Sequence, residues 1–237
     1  MRPLFQSFRL FIQQIFRDSM LSAVCIGTLV TALFIRFGVP AIENILCNHF
    51  QEEVILAKYY LLFDLMLALI TPYMFCFASA MMILTEYDEN LTRYLAVTPV
   101  GKNGYILSRL VFPALISIVV SVALMHWFSL TAWSFAMTLL TCILTCLMSI
   151  AVALLTFAFS HNRVEGLAMA KLSGLLMVGL FVPFFLLTNI QYLFSPLPSF
   201  WIAKLCMEQN LIFLWPATLS SLIWITVLYQ KFSRKIR

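Results

Sequence analysis

The chain has 237 residues, 62% of them hydrophobic and 11% charged, with a mean hydropathy of +0.97. Soluble domains carry about 25% charged residues, so this composition excludes one and fits a single membrane-embedded domain. The net charge of +5 comes from basic residues scattered at the ends of apolar segments, so nucleic acid is not an expected partner.

Residues 1–18 read as an amphipathic helix lying flat on the cytosolic leaflet. At about 100° per residue, Leu4, Phe5, Phe8, Phe11, Ile12, Ile15 and Phe16 fall within roughly 140° of arc. Arg2, Gln6, Arg9, Gln13, Gln14 and Arg17 take the other side, and Pro3 suits a first turn. The strongly apolar run that follows, from Ser19, lacks a small-x-small cleavage site, so it is expected to stay in the protein.

Six segments are long and apolar enough to cross a core ~30 Å thick, which takes about 20 helical residues. They run over 19–37, 59–84, 104–128, 132–160, 166–190 and 211–229. The short link His126–Ala132 makes a tight hairpin of the third and fourth spans. Pro72, Pro113, Pro183 and Pro216 lie in or beside spans, where kinks are expected and neighbouring helices re-satisfy the backbone. Gly38–Lys58, with Glu43, Glu52 and Glu53, reads as a polar loop. Gln191–Asn210, with Pro196, Pro198, Trp201 and Lys204, reads as short interfacial helices. Placing both termini in the cytosol leaves only Arg36, Lys58 and Lys204 of the 15 basic residues outside, the pattern of the positive-inside rule.

No motif for chemistry stands out, and the chain is expected to be a non-catalytic subunit without bound cofactor or metal. The Gly101-Lys102 pair is followed by Asn103, so the phosphate-cradling loop of ATPases is missing. His49, His126 and His161 sit in three different loops. Cys142 and Cys146 share a helix face and read as packing residues. Cys47 and Cys206 both fall outside, and the sequence leaves open whether they pair. Asp64 is the one acid well inside a span. It reads either as a substrate or proton contact facing a cavity, or as a helix-packing hydrogen-bonding group or one with simple access to outer water. Arg109 and Lys171 lie just inside spans, where long side chains snorkel to the surface.

The longest charged stretch between two spans is 85–103. Glu86, Asp88 and Glu89 open it, as suits a helix N-terminus. Leu91, Tyr94 and Leu95 follow at helical spacing, and Thr98-Pro99-Val100-Gly101 ends the run. A solvated loop would need neither the apolar spacing nor the ordered start and stop. This stretch resembles the segment between the second and third spans of type-2 ATP-binding-cassette (ABC) exporter permeases. Glu86 is similar to that family's acidic residue, Leu91 and Leu95 to its hydrophobic patch, Thr98-Pro99 to its closing pair, and Lys102 to its basic turn. Asn90-Leu91-Thr92 departs from the family's Gly-Thr before the leucine.

The resemblance implies an all-α integral membrane protein: an interfacial helix, six spans, and a cytosolic coupling segment docked on a separate ATPase. It further implies two ABC ATPase subunits carrying the ATP and Mg, and a second permease copy or paralogue. The setting would be a bacterial cell membrane, and the cargo a hydrophobic or amphipathic drug, peptide or lipid. Glu86, Asp88, Glu89, Leu91, Tyr94, Leu95, Thr98, Pro99 and Lys102 would form the coupling contact. The alternative is a proton-coupled secondary transporter using Asp64, which would call for more intramembrane acids than this one.

Overall fold

A computed structural model describes residues 13, 19–89, 107–186 and 188–235. All regular structure among them is helical. The α-helices are α1 (Ser19–Leu33), α2 (Val39–Phe50), α3 (Tyr60–Asp88), α4 (Phe112–Phe128), α5 (Phe135–Phe159), α6 (Arg163–Ser173), α7 (Val182–Phe185), α8 (Pro198–Glu208) and α9 (Leu214–Lys235). Five helical stretches are long and apolar enough to cross a membrane: Ser22–Phe50, Ala57–Asp88, Ser108–Phe128, Phe135–Phe159 and Leu211–Lys235. The expected interfacial helix over 1–18 lies outside the described residues, Gln13 apart.

α3 and α5 pack most extensively on each other and form the centre, with α4, α6 and α9 around them. The most apolar windows of Ala57–Asp88 and Phe135–Phe159 are 78% and 72% buried, against 17% in Leu211–Lys235, which leaves α9 on the rim. Small and hydroxylated residues line the central contact, as membrane helices require for close approach. On α5, Thr145, Ser149 and Thr156 each donate to the carbonyl four residues back, at 2.8–2.9 Å, so their hydroxyls are satisfied inside the helix.

The prolines are absorbed by side chains from neighbouring helices. Pro72 lies inside α3 and offers no N–H to the Ala68 carbonyl four residues back. The Ser121 hydroxyl of α4 donates to that carbonyl instead, at 3.3 Å. Pro113 likewise leaves the Arg109 carbonyl without its usual donor, and the buried Ser79 hydroxyl of α3 supplies one. Two π-turns, Phe34–Gly38 and Leu107–Val111, each end two residues before a proline, Pro40 and Pro113.

Three expectations need correction. The first span does not stop at Phe37 before a polar loop: the π-turn carries the helix past Gly38 and Pro40, with the Val39 N–H reaching back to the Phe34 carbonyl. α2 then runs to Phe50 and stops at Gln51, in the left-handed region at φ 56°. The fifth segment, 166–190, is not one helix. α6 passes into a seven-residue 3₁₀ run, Gly174–Leu180, then the single turn α7, and the chain turns extended at Leu186. Gly174, Gly179 and Pro183 weaken the α-helix there, and the 3₁₀ run packs on α8. Finally, the short helix expected within Gln191–Asn210 is present as α8, but it is packed into the bundle. Phe200, Ile202, Ala203, Leu205 and Cys206 are all buried, so α8 is inserted among α5, α9 and the 3₁₀ run.

Candidate functional site

The two ends of the bundle differ in chemistry. At one end α3 finishes and α4 begins, and here Glu86 meets Arg109. Nη2 of Arg109 lies 2.5 Å from Oε1 of Glu86, and Nε lies 3.2 Å from Oε2. Both residues are buried, 2% and 3% exposed, which makes a desolvated, two-pronged ion pair of the kind arginine forms best. Glu86 is therefore turned into the bundle instead of outward to a partner, and Arg109 pairs there instead of snorkelling. Asp88 and Glu89 are exposed beyond it. Asp88 accepts the Arg163 N–H at 3.1 Å, tying α3 to the start of α6. That start is also capped by Asn162, which accepts from Glu165 N–H at 2.8 Å.

The C-terminal helix closes the same end. Lys235 donates to the Phe157 carbonyl at 2.7 Å and to the Ser160 carbonyl, groups that the end of α5 leaves unpaired. Its ammonium also lies 4.5 Å from the Phe157 ring centre and 5.1 Å from that of Tyr87. Of the expected coupling residues, Glu86, Asp88 and Glu89 are thus placed at this rim. Leu91, Tyr94, Leu95, Thr98, Pro99 and Lys102 lie outside the described residues.

At the opposite end two acids hold loops. Asp64 is fully buried and takes four donors: Leu130 N–H (2.7 Å), Thr131 N–H (2.9 Å), the Thr131 hydroxyl (2.5 Å) and the Trp133 indole (3.0 Å). Arg36 donates to the Ser129 carbonyl at 3.0 Å, so the α4–α5 link is held by an anion on its N–H groups and a cation on its carbonyl. Glu43 of α2 accepts from Ile55, Leu56 and Ala57 N–H groups at 2.5–3.3 Å, capping the helical turn that leads into α3. Asp64 thus joins α3 to the α4–α5 link by hydrogen bonds. A cleft of about 300 Å³ opens beside this link, bordered by Thr131, Trp133, Met137 and Gln209, and Asp64 is not among its lining residues.

Cys142 and Cys146 are buried in the core, beside the Ser121 hydroxyl and the Ala114 carbonyl respectively. Cys47 and Cys206 are both free, and Cys206 contacts the Thr141 hydroxyl at 3.3 Å. Lys204 is buried on α8, with Tyr192 Oη at 2.5 Å and Glu208 at 3.6 Å.

A family model described as "Fluoroquinolones export permease protein Rv2686c-like" matches residues 11–230. Two curated proteins of Mycobacterium tuberculosis are similar to the chain: Fluoroquinolones export permease protein Rv2686c (strain ATCC 25618 / H37Rv) and Fluoroquinolones export permease protein MT2760 (strain CDC 1551 / Oshkosh). Each is 25% identical over 192 residues, which cover 80% of this chain and 75% of the relative. No solved structure matches. The family match runs from before α1 into α9 and so takes in the described bundle up to Gln230; the chain belongs to the Rv2686c-like family of fluoroquinolones export permeases.

Proposed function

We propose that this chain is the membrane subunit of an ABC exporter in a bacterial cell membrane. It would pair with a second permease and receive force from two ATPase subunits that hold the ATP and Mg. The observation that carries the reading is the rim at the end of α3, where Asp88, the start of α6 and the end of α9 converge, so a load applied to the end of α3 reaches several helices at once. The sequence that follows this rim, 90–106, is the coupling-type stretch. Both termini are cytosolic in this proposal, and the chain crosses six times. At ~1.5 Å per α-helical and ~2.0 Å per 3₁₀ residue, Arg163–Leu180 extends about 30 Å, one hydrocarbon core, despite its broken form. The cargo is an amphipathic aromatic drug of the fluoroquinolone type named for the relatives. The proton-coupled alternative has less support, because four donors commit Asp64 to the α4–α5 link and it does not line the cleft beside that link.

The test is efflux of a fluorescent fluoroquinolone from cells making the chain with its ATPase. Efflux should vanish when the ATPase's phosphate-loop lysine is replaced, and the purified chain alone should hydrolyse no ATP. The Leu91→Ala/Leu95→Ala pair should weaken co-purification with the ATPase. Efflux that survives loss of ATP hydrolysis and collapses with a protonophore would overturn the reading.

A further inference from the structure

We propose that Glu86 and Arg109 form a strut that makes the end of α3 and the entry to α4 respond as one body to movement delivered through segment 90–106. The proposal rests on the exporter reading above. Glu86 lies two residues before the end of α3, and Arg109 lies within the π-turn Leu107–Val111 that precedes α4. The pair therefore bridges the two points at which the segment joins the bundle.

Stability does not require such a pair. Two buried charges lose much of their hydration, and apolar residues of similar volume commonly serve as well. What the two-pronged contact adds is direction: a planar guanidinium on a carboxylate fixes both distance and angle. The grip is doubled. Ser79 lies seven residues before Glu86, hence on the same face of α3, and its hydroxyl holds the Arg109 carbonyl. One face of α3 thus holds Arg109 by side chain and by backbone. The π-turn is the compliant part, because an i→i+5 turn can exchange with α-helical pairing, and such turns recur at functional sites. Without the strut, a push on the segment would be absorbed in that turn. With it, the push reaches α4 directly, and it reaches α6 through Asp88 and the Arg163 N–H. Glu86 and Arg109 are positioning residues: they touch no cargo and no nucleotide in this account.

The experiment uses the whole permease–ATPase complex in proteoliposomes and reads fluoroquinolone moved per ATP hydrolysed, beside melting temperature and co-purification. The apolar pair Glu86→Leu/Arg109→Met should assemble and melt like the wild type yet lose about tenfold in transport per ATP, mid-range for coupling between sites. The swap Glu86→Arg/Arg109→Glu should regain a large part of it. Should the apolar pair fail to fold, Arg109→Lys keeps the charge without the fork, and should lower the ratio with melting unchanged. A wild-type ratio in the apolar pair, or in Arg109→Lys, would overturn the strut. Failure of the wild-type chain to bring down any ATPase would remove the exporter reading itself, before any variant is made.

Discussion

The Trp133 indole donates to the same Asp64 oxygen that takes the Thr131 amide and hydroxyl, while the Leu130 amide holds the other oxygen. Three donors thus converge on one carboxylate oxygen and one on the other, so both oxygens are engaged. The most conspicuous polar residue of the sequence is thereby a staple for the α4–α5 link. It joins the middle of the chain to α3 across 66 to 69 positions.

Asp64→Asn should destabilise the chain before it alters transport. The amide keeps one acceptor but aims its own N–H groups at donors, and each buried donor left unpaired costs about 1–3 kcal/mol. A lower melting temperature and lower yield are expected, with unchanged pH dependence of transport in the molecules that fold. Wild-type melting together with a shifted pH profile would return the carboxylate to a proton-carrying role.

The paired prolines and serines make a double-mutant cycle. Ser121→Ala removes the donor on the Ala68 carbonyl and should cost about 1 kcal/mol. In a Pro72→Ala background the restored N–H can take that carbonyl, so the same change should cost little. Equal penalties in both backgrounds, measured by thermal unfolding in detergent, would mean that Ser121 does not compensate Pro72.

Cysteine labelling separates the actual α8 from a surface helix. In variants retaining one cysteine each, a charged maleimide should reach Cys47 and fail at Cys206, which is only 3% exposed. Burial also pushes the Cys206 thiol up to about 11, with the Thr141 contact opposing it, so little thiolate is present at neutral pH. Fast labelling of Cys206 in the folded protein would mean that α8 lies on the surface.

Sequence alone located the apolar runs behind α3, α4, α5 and α9, because a span needs only length and hydrophobicity to be seen. It also read the α4–α5 hairpin from a short uncharged link. What it missed depends on partners far along the chain. Glu86 reads as surface because its neighbours Asp88 and Glu89 are polar, and nothing local announces Arg109, 23 residues on. Even so, an acid near the end of one span and an arginine just inside the next form a signal for pairing. Gly38 and Pro40 signal a break that the π-turn Phe34–Gly38 removes, a turn no propensity reports. In 166–190, Gly174, Gly179 and Pro183 did mark the weak helix, but total hydrophobicity outweighed them.

Two glycines should respond differently to the same substitution. A Cβ on Gly166 would meet the Leu84 Cδ1 at 2.4 Å and the Met81 Sδ at 3.3 Å, both ends of flexible side chains on α3. Rotation of Leu84 can relieve most of that clash, and alanine favours the α-helix by about 1 kcal/mol over glycine. Gly166→Ala should therefore be nearly neutral. A Cβ on Gly179 would meet the Ser199 Oγ at 2.4 Å, the Phe200 backbone nitrogen at 2.9 Å and Leu197 Cβ at 3.1 Å. Backbone cannot rotate away, and the Ser199 hydroxyl is already committed to the Leu176 carbonyl at 2.5 Å. Gly179→Ala must push α8 off the 3₁₀ run, at about 1–3 kcal/mol for such overpacking. It should lower the melting temperature clearly more than Gly166→Ala does. It should also raise labelling of Cys206, which α8 carries into the bundle. Equal tolerance at both glycines would mean that α8 is not seated against Gly174–Leu180 as the structure has it.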